Sequence, residues 1–222
     1  KYLFMNKKND NLEKLNLFFL GNSSVGKTSF IIKYVNNSFQ LNHIPTIGID
    51  FTIKTFQLET GEEIQLRFYD TAGQEQYRAL SFNLIKSADG IFLIYDITQR
   101  KTFDDINRWI ESIKEVKEEH FPVVLIGNKC DLEEERDIDK EEGEKLAEDN
   151  EFPFIEASCK EGTNIEESVK ILVSKIIEKK KAEKLKKNEE GEKENDKKGF
   201  RLSNDNKYLK NEACITKIRK CI

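Results

Sequence analysis

The chain has 222 residues, of which 37% are hydrophobic and 35% are charged, and its formal net charge at pH 7 is −4. This length suits one ordinary domain with an appendage, because single domains usually span roughly 100–200 residues. The longest apolar runs, such as Leu15–Leu20, are much shorter than the roughly 18–20 residues of a spanning helix, which excludes a helical membrane protein. Four cysteines without CxxC spacing and two histidines provide neither a disulfide framework nor a zinc ligand set, and they favour a reducing compartment.

Charge is unevenly distributed along the chain. Residues 179–222 contain 15 Lys and Arg against 8 Asp and Glu, whereas residues 1–178 contain 22 against 33. The segment from Lys179 to Arg201 has too few apolar side chains to offset the entropy of ordering it. We therefore predict an N-terminal extension over residues 1–13 without a signal peptide, a folded domain over 14–180 and a disordered basic tail over 181–222.

The predicted elements indicate a layered α/β domain. The apolar runs that predict strands are, in chain order, Leu15–Leu20, Ile47–Leu58, Ile64–Tyr69, Ile91–Tyr95, Val123–Ile126 and Phe152–Ile155. All but the second and third are nearly continuous, as in parallel strands buried on both faces, whereas the short link Glu59–Glu62 allows only an antiparallel hairpin. The helical patterns cover Thr28–Asn37, Phe103–Glu119, Lys140–Asp149 and Ile165–Lys179. The expected fold is a doubly wound domain with a six-stranded, mostly parallel sheet, one antiparallel strand and helices on both faces.

A glycine-rich loop directly follows the first predicted strand. Residues 21–28 read Gly-Asn-Ser-Ser-Val-Gly-Lys-Thr, which satisfies the pattern G-x-x-x-x-G-K-[ST] and leads into a predicted helix. Gly21 and Gly26 allow successive backbone N–H groups to point at an anion. Lys27 can reach the β- and γ-phosphates, and Thr28 can offer its hydroxyl to Mg²⁺. The loop therefore predicts a site for a nucleotide with its magnesium ion.

Polar residues after later strands indicate which nucleotide binds. Asp70 and Gly73 follow the third run, where Asp70 can hold Mg²⁺ through water and the Gly73 N–H can turn toward a γ-phosphate. Asn128–Asp131 follows the fifth run, and Ser158–Lys160 follows the sixth. A buried Asp carboxylate accepts from the N1 and N2 donors of guanine and would be left unpaired by adenine. We therefore expect guanine as the base.

With these motifs in this order, residues 14 to about 180 resemble the Ras-like small GTPases and, among them, the Rab family. Ile47–Phe51 is similar to the Rab stretch after switch I, and Tyr95–Thr98 is similar to the family's segment after the fourth strand. The loop over residues 21–30 resembles the phosphate loop of secretory-type Rabs. The resemblance implies a P-loop G domain that binds GTP or GDP with Mg²⁺ and hydrolyses GTP to GDP and phosphate, as a switch in vesicle trafficking.

The resemblance also implies roles for individual residues. Thr46 would ligate Mg²⁺ and sense the γ-phosphate, Phe39 would stack over the base, and Gln74 would orient the hydrolytic water. The implied catalytic residues are Gln74 and Lys27, and the implied metal ligands are Thr28, Thr46 and Asp70. The implied nucleotide-binding residues are Ser23, Ser24, Val25, Gly26, Lys27, Thr28, Ser29, Phe39, Thr46, Gly73, Asn128, Lys129, Asp131, Ser158, Cys159 and Lys160. We interpret the side chains of Cys130 and Cys159 as packing groups.

The sequence diverges from the family pattern in and near switch II. Tyr69 stands where members commonly have Trp, and Gln76-Tyr77 stands where they commonly have Arg-Phe. Leu84-Ile85-Lys86-Ser87 replaces a common Tyr-Tyr-Arg-Gly. The resemblance implies that effectors contact this surface in the GTP state.

The sequence provides no evident arginine in cis for the transition state, since Arg67 lies within a strand and Arg78 lies past Gln74. We therefore expect slow intrinsic hydrolysis, accelerated by an activating protein. Two alternatives remain open. A small-molecule kinase would share residues 21–28 but has no need of the Asn128–Asp131 motif and would need an arginine-bearing lid. A nucleotide-locked scaffold would share every motif but lack turnover.

The end of the chain suggests a membrane anchor. Family members end in geranylgeranylated cysteines, but this sequence ends Arg219-Lys220-Cys221-Ile222, which is neither Cys-Cys, Cys-x-Cys nor a C-a-a-X box. One more Cys after Ile222 would give Cys-x-Cys; otherwise Cys221 would carry the lipid, assisted by basic neighbours. The expectations are a monomer on the cytoplasmic face of an intracellular membrane, cycling with the cytosol. Its partners would be an exchange factor, a GTPase-activating protein and effectors, without nucleic acid. A free soluble tail is the alternative.

Overall fold

A computed structural model describes residues 12–39, 49–71 and 85–185 of the chain. Its six strands are β1 Glu13–Leu20, β2 Ile49–Gln57, β3 Glu63–Thr71, β4 Gly90–Asp96, β5 Val123–Asn128 and β6 Phe154–Ala157. They form one sheet in the order β2-β3-β1-β4-β5-β6. β2 pairs antiparallel with β3, and the other four neighbouring pairs are parallel. The predicted fold class is therefore confirmed, including the antiparallel hairpin.

The helices follow the expected α/β alternation. They are α1 Lys27–Asn36, α2 Arg100–Asp104, α3 Ile106–Lys114, α4 Lys140–Asp149 and α5 over residues 165–185, with a 3₁₀ turn at Glu133–Glu135. α4 matches its predicted bounds. The single helix predicted over Phe103–Glu119 is wrong, because Asp105 separates the end of α2 from α3, which itself ends at Lys114. The Asp105 carboxylate accepts from Asn22 and pairs with Arg108, and a periodic apolar stripe does not reveal such a break.

Core side chains cover both faces of the sheet. Alternate residues of β1 point in opposite directions, so Phe18 belongs to the cluster that contains Ile106 and Ile110 of α3. Phe19 packs on Phe30 of α1, with ring centroids 5.3 Å apart. Every residue of β4 and β5 is buried, which explains why these strands have continuous apolar sequences. Because β3, β1, β4, β5 and β6 run parallel, their carboxyl ends lie at the same side of the sheet.

The chain divides into two units between Ile176 and Ile177. The first contains the whole sheet and residues 165–176 of α5. The second begins with the helical residues 177–185, in which Nζ of Lys179 lies 4.0 Å from Oε1 of Glu183. None of the helices in the described ranges combines the length and the apolar composition that a bilayer span requires.

Candidate nucleotide site

Most of the predicted site residues within the described ranges lie at or just beyond the carboxyl ends of the parallel strands. The phosphate loop follows β1, Asp70 is the penultimate residue of β3, and Asn128 is the last residue of β5. Ser158 follows β6 directly. Ligands of α/β sheets bind at this edge, because the loops there converge on one crevice. The fold therefore gathers motifs that are separated by more than 100 residues in sequence.

The phosphate loop can take its path only with glycine at two positions. Gly21 has φ of 141°, and a Cβ there would lie 2.1 Å from the Ile94 carbonyl oxygen. Gly26 has φ of 104°, and a Cβ there would lie 2.2 Å from Nδ2 of Asn128. Gly26 is also the N-cap of α1 and offers no capping side chain, so the helix N-terminus remains suited to an anion. The two glycines thus allow the tight backbone curl that cradles phosphate.

Lys27 is buried within this loop. The residue is 5% exposed, and its ammonium group donates to the carbonyl oxygens of Gly21 at 2.9 Å and Asn22 at 2.6 Å. Burial lowers the pKa of Lys27 to about 8, partly opposed by the nearby carboxylate of Asp70. A buried, poorly solvated ammonium group is suited to bind a phosphate, which would restore its charge balance.

The oxygen groups predicted to hold Mg²⁺ are adjacent. The Thr28 hydroxyl donates to Oδ2 of Asp70 at 2.5 Å, and Asp70 as a whole is 4% exposed. Mg²⁺ prefers oxygen ligands and usually keeps several waters, so one hydroxyl and one carboxylate beside a phosphate loop fit this ion. When bound, the ion would neutralise charge on the phosphates.

Asn128 connects the phosphate loop to the predicted guanine loops. Its Nδ2 donates to the Val25 carbonyl oxygen at 2.6 Å, and its Oδ1 accepts from the Cys159 N–H at 3.4 Å. The neighbouring Lys129 has a left-handed backbone, with φ of 69°, and its Nζ lies 2.6 Å from Oδ2 of Asp96. Asn128 and Lys129 therefore connect the end of β5 to the loops after β1 and β6 and to the end of β4.

The Asp131 carboxylate is held by the loop after β6. Its Oδ1 accepts from the Ser158 hydroxyl at 2.6 Å, and its Oδ2 lies 3.6 Å from Nζ of Lys160. The Ser158 hydroxyl in turn accepts from the Glu161 N–H at 3.0 Å. These contacts orient an acceptor-only carboxylate, which suits the paired donors on the edge of guanine.

Sequence reasoning missed several polar residues that support the loops. Asn22 donates from Nδ2 to the Asp105 carboxylate at 2.8 Å and accepts from the Trp109 indole N–H at 3.3 Å. Asp96, fully buried at the end of β4, also accepts from the N–H and hydroxyl of Thr98. A charged residue directly after an apolar strand was a signal for Asp96. No local signal marks the contacts of Asn22, because Asp105 and Trp109 lie 83 and 87 residues away from it in sequence.

The remaining predicted residues are only partly covered by the structure. In the phosphate loop, Ser23 and Ser24 are exposed, Val25 is fully buried and Ser29 is partly buried. Phe39, three residues beyond α1, is 36% exposed. Thr46, Gly73 and Gln74 lie outside the described residues, as do Gln76, Leu84 and Cys221.

Comparisons with known proteins agree with this arrangement. The Ras family model matches residues 16–178. Rab-8B of Pongo abelii is 43% identical over 175 residues, which cover 79% of this chain and 83% of the relative. The chain belongs to the Rab family of small GTPases. Rab-13 of Canis lupus familiaris is also 43% identical, and the match covers 78% of this chain and 84% of that relative. Human Rab-3D is 43% identical, and the match covers 73% of this chain and 74% of that relative.

Family membership establishes the activity of this Rab protein. It is a GTP-binding and GTP-hydrolysing switch of vesicle trafficking, it binds GTP and GDP with Mg²⁺, and it works through regulators and effectors. The alternative of a nucleotide-locked scaffold is not favoured. The match to the Ras family model over residues 16–178 excludes the alternative of a small-molecule kinase.

Tyr69 and Ile85 are two of the divergent positions that lie in the described residues. Tyr69 stacks on Phe18 with ring centroids 4.4 Å apart and lies 6.1 Å from the ring of Phe51, which is 59% exposed. Ile85 is fully buried among the core residues. One divergent residue therefore contributes to a partly exposed aromatic patch, and the other contributes to the core.

Proposed function

We propose that this Rab protein binds and hydrolyses GTP with the residues gathered at the carboxyl ends of its strands. The observation that carries the proposal is the contact between Thr28 and Asp70 beside the buried ammonium of Lys27. Phosphoryl transfer needs positioning and charge neutralisation rather than a protein nucleophile, and Lys27 together with the Mg²⁺ that Thr28 and Asp70 would hold supplies both. In this assignment Thr46 joins the metal ligands and Gln74 orients the attacking water.

The base of the nucleotide is assigned to the loops that follow β5 and β6. Asp131 accepts from the N1 and N2 donors of guanine, and Ser158 and Lys160 hold that carboxylate in place. Asn128 and Lys129 position the loop, and Phe39 stacks over the base. Because an adenine edge would not offer the Asp131 carboxylate the paired N1 and N2 donors of guanine, this arrangement selects guanine nucleotides.

An activating protein supplies the acceleration, because no arginine in the described part of the chain is available to the transition state. The arginines of the described residues are all engaged with other side chains: Arg67 with Gln65, Arg100 with Glu142, Arg108 with Asp105, and Arg136 with Glu133 and Glu156. A transition-state arginine is therefore expected from a partner, where it would accelerate hydrolysis by roughly 10³–10⁵.

Substituting the water-orienting residue tests the catalytic assignment. We expect Gln74→Leu to slow activator-stimulated, single-turnover GTP hydrolysis by at least about tenfold while leaving GTP affinity nearly unchanged, because water positioning is lost and phosphate contacts remain. Thr28→Asn is the matched variant for the metal site. It should weaken Mg²⁺ and GTP binding and favour the GDP or empty form. Unchanged turnover in Gln74→Leu would refute the assigned role.

We further propose that residues 181–222 are a tail that anchors a monomeric protein to the cytoplasmic face of an intracellular membrane. Cys221 would carry a prenyl chain. A single lipid chain gives only marginal, reversible binding, so a second signal is needed. The basic residues Lys207, Lys210, Lys217, Arg219 and Lys220 provide one, since each basic residue near an anionic leaflet contributes about 1 kcal/mol.

Intact mass spectrometry of the full chain from its native cells tests the anchor. The expected result is one isoprenoid mass on Cys221 and a protein divided between membrane and cytosol. Cys221→Ser should lose both the added mass and the membrane fraction, whereas the matched variant Cys214→Ser should keep them. A native protein without an isoprenoid mass and recovered entirely in the soluble fraction would contradict the proposal.

A further inference from the structure

The side chain of Cys159 lies between the phosphate loop and the guanine loops. The residue is 4% exposed, and its Sγ lies 3.3 Å from Oδ1 of Asn128 and 3.7 Å from the Gly26 carbonyl oxygen. The other free cysteine of the described residues, Cys130, is half-buried and packs against the core cluster instead. The two thiols of neighbouring loops therefore have different surroundings.

Contacts on both sides fix the orientation of the Asn128 carboxamide. Its Nδ2 faces the Val25 carbonyl, which can only accept a hydrogen bond. Its Oδ1 faces two donors of Cys159, the backbone N–H at 3.4 Å and the thiol. Turning the amide over would place its NH₂ group against both donors and its oxygen against the Val25 carbonyl. The thiol thus favours the orientation that holds the phosphate loop.

The thiol remains a donor under physiological conditions. Burial raises the pKa of Cys159 to about 12, so the sulfur keeps its proton at neutral pH. The Asn128 oxygen is a better acceptor for this proton than the Gly26 carbonyl, which is farther away. A side chain without a donor would leave only the backbone N–H on that oxygen.

We propose that Cys159 is a positioning residue for nucleotide binding, whose S–H···O bond to Asn128 ties the phosphate loop to the guanine loops and slows nucleotide release. This inference rests on the proposed assignment of Asn128 to the guanine pocket. The thiol acts through Asn128 and needs no contact with the nucleotide. It therefore adds a role for the side chain of a residue that sequence reasoning treated as packing.

The test is the dissociation rate of a fluorescent GDP analogue from the full chain, with Mg²⁺ and excess unlabelled GDP. Cys159→Ala removes the thiol donor and side-chain volume, whereas Cys159→Val removes the donor without loss of volume. Each should raise the rate of GDP release on the order of fivefold, which is the effect of losing one hydrogen bond. Cys159→Ser keeps a donor and should restore most of the slow release. Cys130→Ala, the matched control, should release GDP at the wild-type rate.

Slow release by Cys159→Val with fast release by Cys159→Ser would show that packing alone matters and would overturn the inference. Wild-type rates of GDP release in all three Cys159 variants would also overturn the inference, while the assignment of the guanine site would stand. A wild type that binds no guanine nucleotide would overturn the site assignment as well. Should the Cys159 variants not fold, the other three cysteines can be replaced by Ser. The infrared S–H stretch of the remaining thiol should be that of a hydrogen-bonded group, and the band of a non-bonded thiol would refute the proposal.

Discussion

Asp131→Asn is expected to lower GTP affinity by about 10⁴-fold and to create binding of xanthosine triphosphate. The carboxylate only accepts hydrogen bonds, whereas an amide at its place brings an NH₂ group against the donors of guanine. Xanthine carries an oxygen where guanine has its 2-amino group, so the same amide can donate to it. Competition between the two nucleotides for the fluorescent analogue measures the change.

A second substitution separates this effect from a general loss of charge. Glu134→Gln removes an exposed carboxylate from the 3₁₀ turn that follows Asp131 and should leave both affinities unchanged. The wild type should prefer GTP strongly over ATP, because adenine does not present the paired donors with which guanine meets the Asp131 carboxylate. Equal affinity of the wild type for ATP and GTP, or undiminished GTP affinity in Asp131→Asn, would refute the base assignment.

Lys27→Met is expected to have opposite effects on binding and on stability. Nucleotide affinity should fall by about 100-fold or more, since a charge-assisted hydrogen bond contributes up to about 3 kcal/mol. The nucleotide-free protein should become more stable by up to about 3 kcal/mol, because the folded state no longer confines an ammonium group whose pKa is lowered from 10.5 to about 8. Binding titrations and denaturant unfolding measure the two effects.

The same pKa predicts how the wild type responds to pH. Below pH 8 the ammonium is charged in both states, so its full burial cost is present. Between pH 8 and 10.5 the unfolded chain holds this proton and the folded chain does not, so stability without nucleotide should rise with pH. Nucleotide affinity should fall over the same range, by up to about tenfold per pH unit, because the phosphates need the charged form.

Lys27→Met should show neither pH dependence. Lys33→Met, a substitution on the same helix, should retain both the affinity and the pH response of the wild type. If Lys27→Met destabilised the nucleotide-free protein, the cost assigned to the buried ammonium would be wrong. If its affinity equalled that of the wild type, Lys27 would have no role at the phosphates.

Local sequence was sufficient for the fold and for the main motifs. The continuous apolar runs of β4 and β5 predicted buried parallel strands, because a strand that is covered on both faces carries mostly apolar side chains. The short link before β3 predicted the hairpin with β2, since a parallel crossover needs a much longer connection. The glycine spacing around Lys27 predicted the phosphate loop, because that backbone path is closed to residues with a Cβ at Gly21 and Gly26.

The support of the site was decided only by the tertiary structure. The bonds of Asn22 to Asp105 and of Asn128 to Val25 join residues 83 and 103 positions apart, and no local pattern encodes such pairs. The lowered pKa of Lys27 depends on burial by the surrounding fold rather than on its neighbours in sequence. Sequence thus determined which chemical groups the loops carry, since spacing and residue type limit what a loop can bind. The packing of the strand ends determined their orientation and protonation, because both depend on contacts that form only in the folded chain.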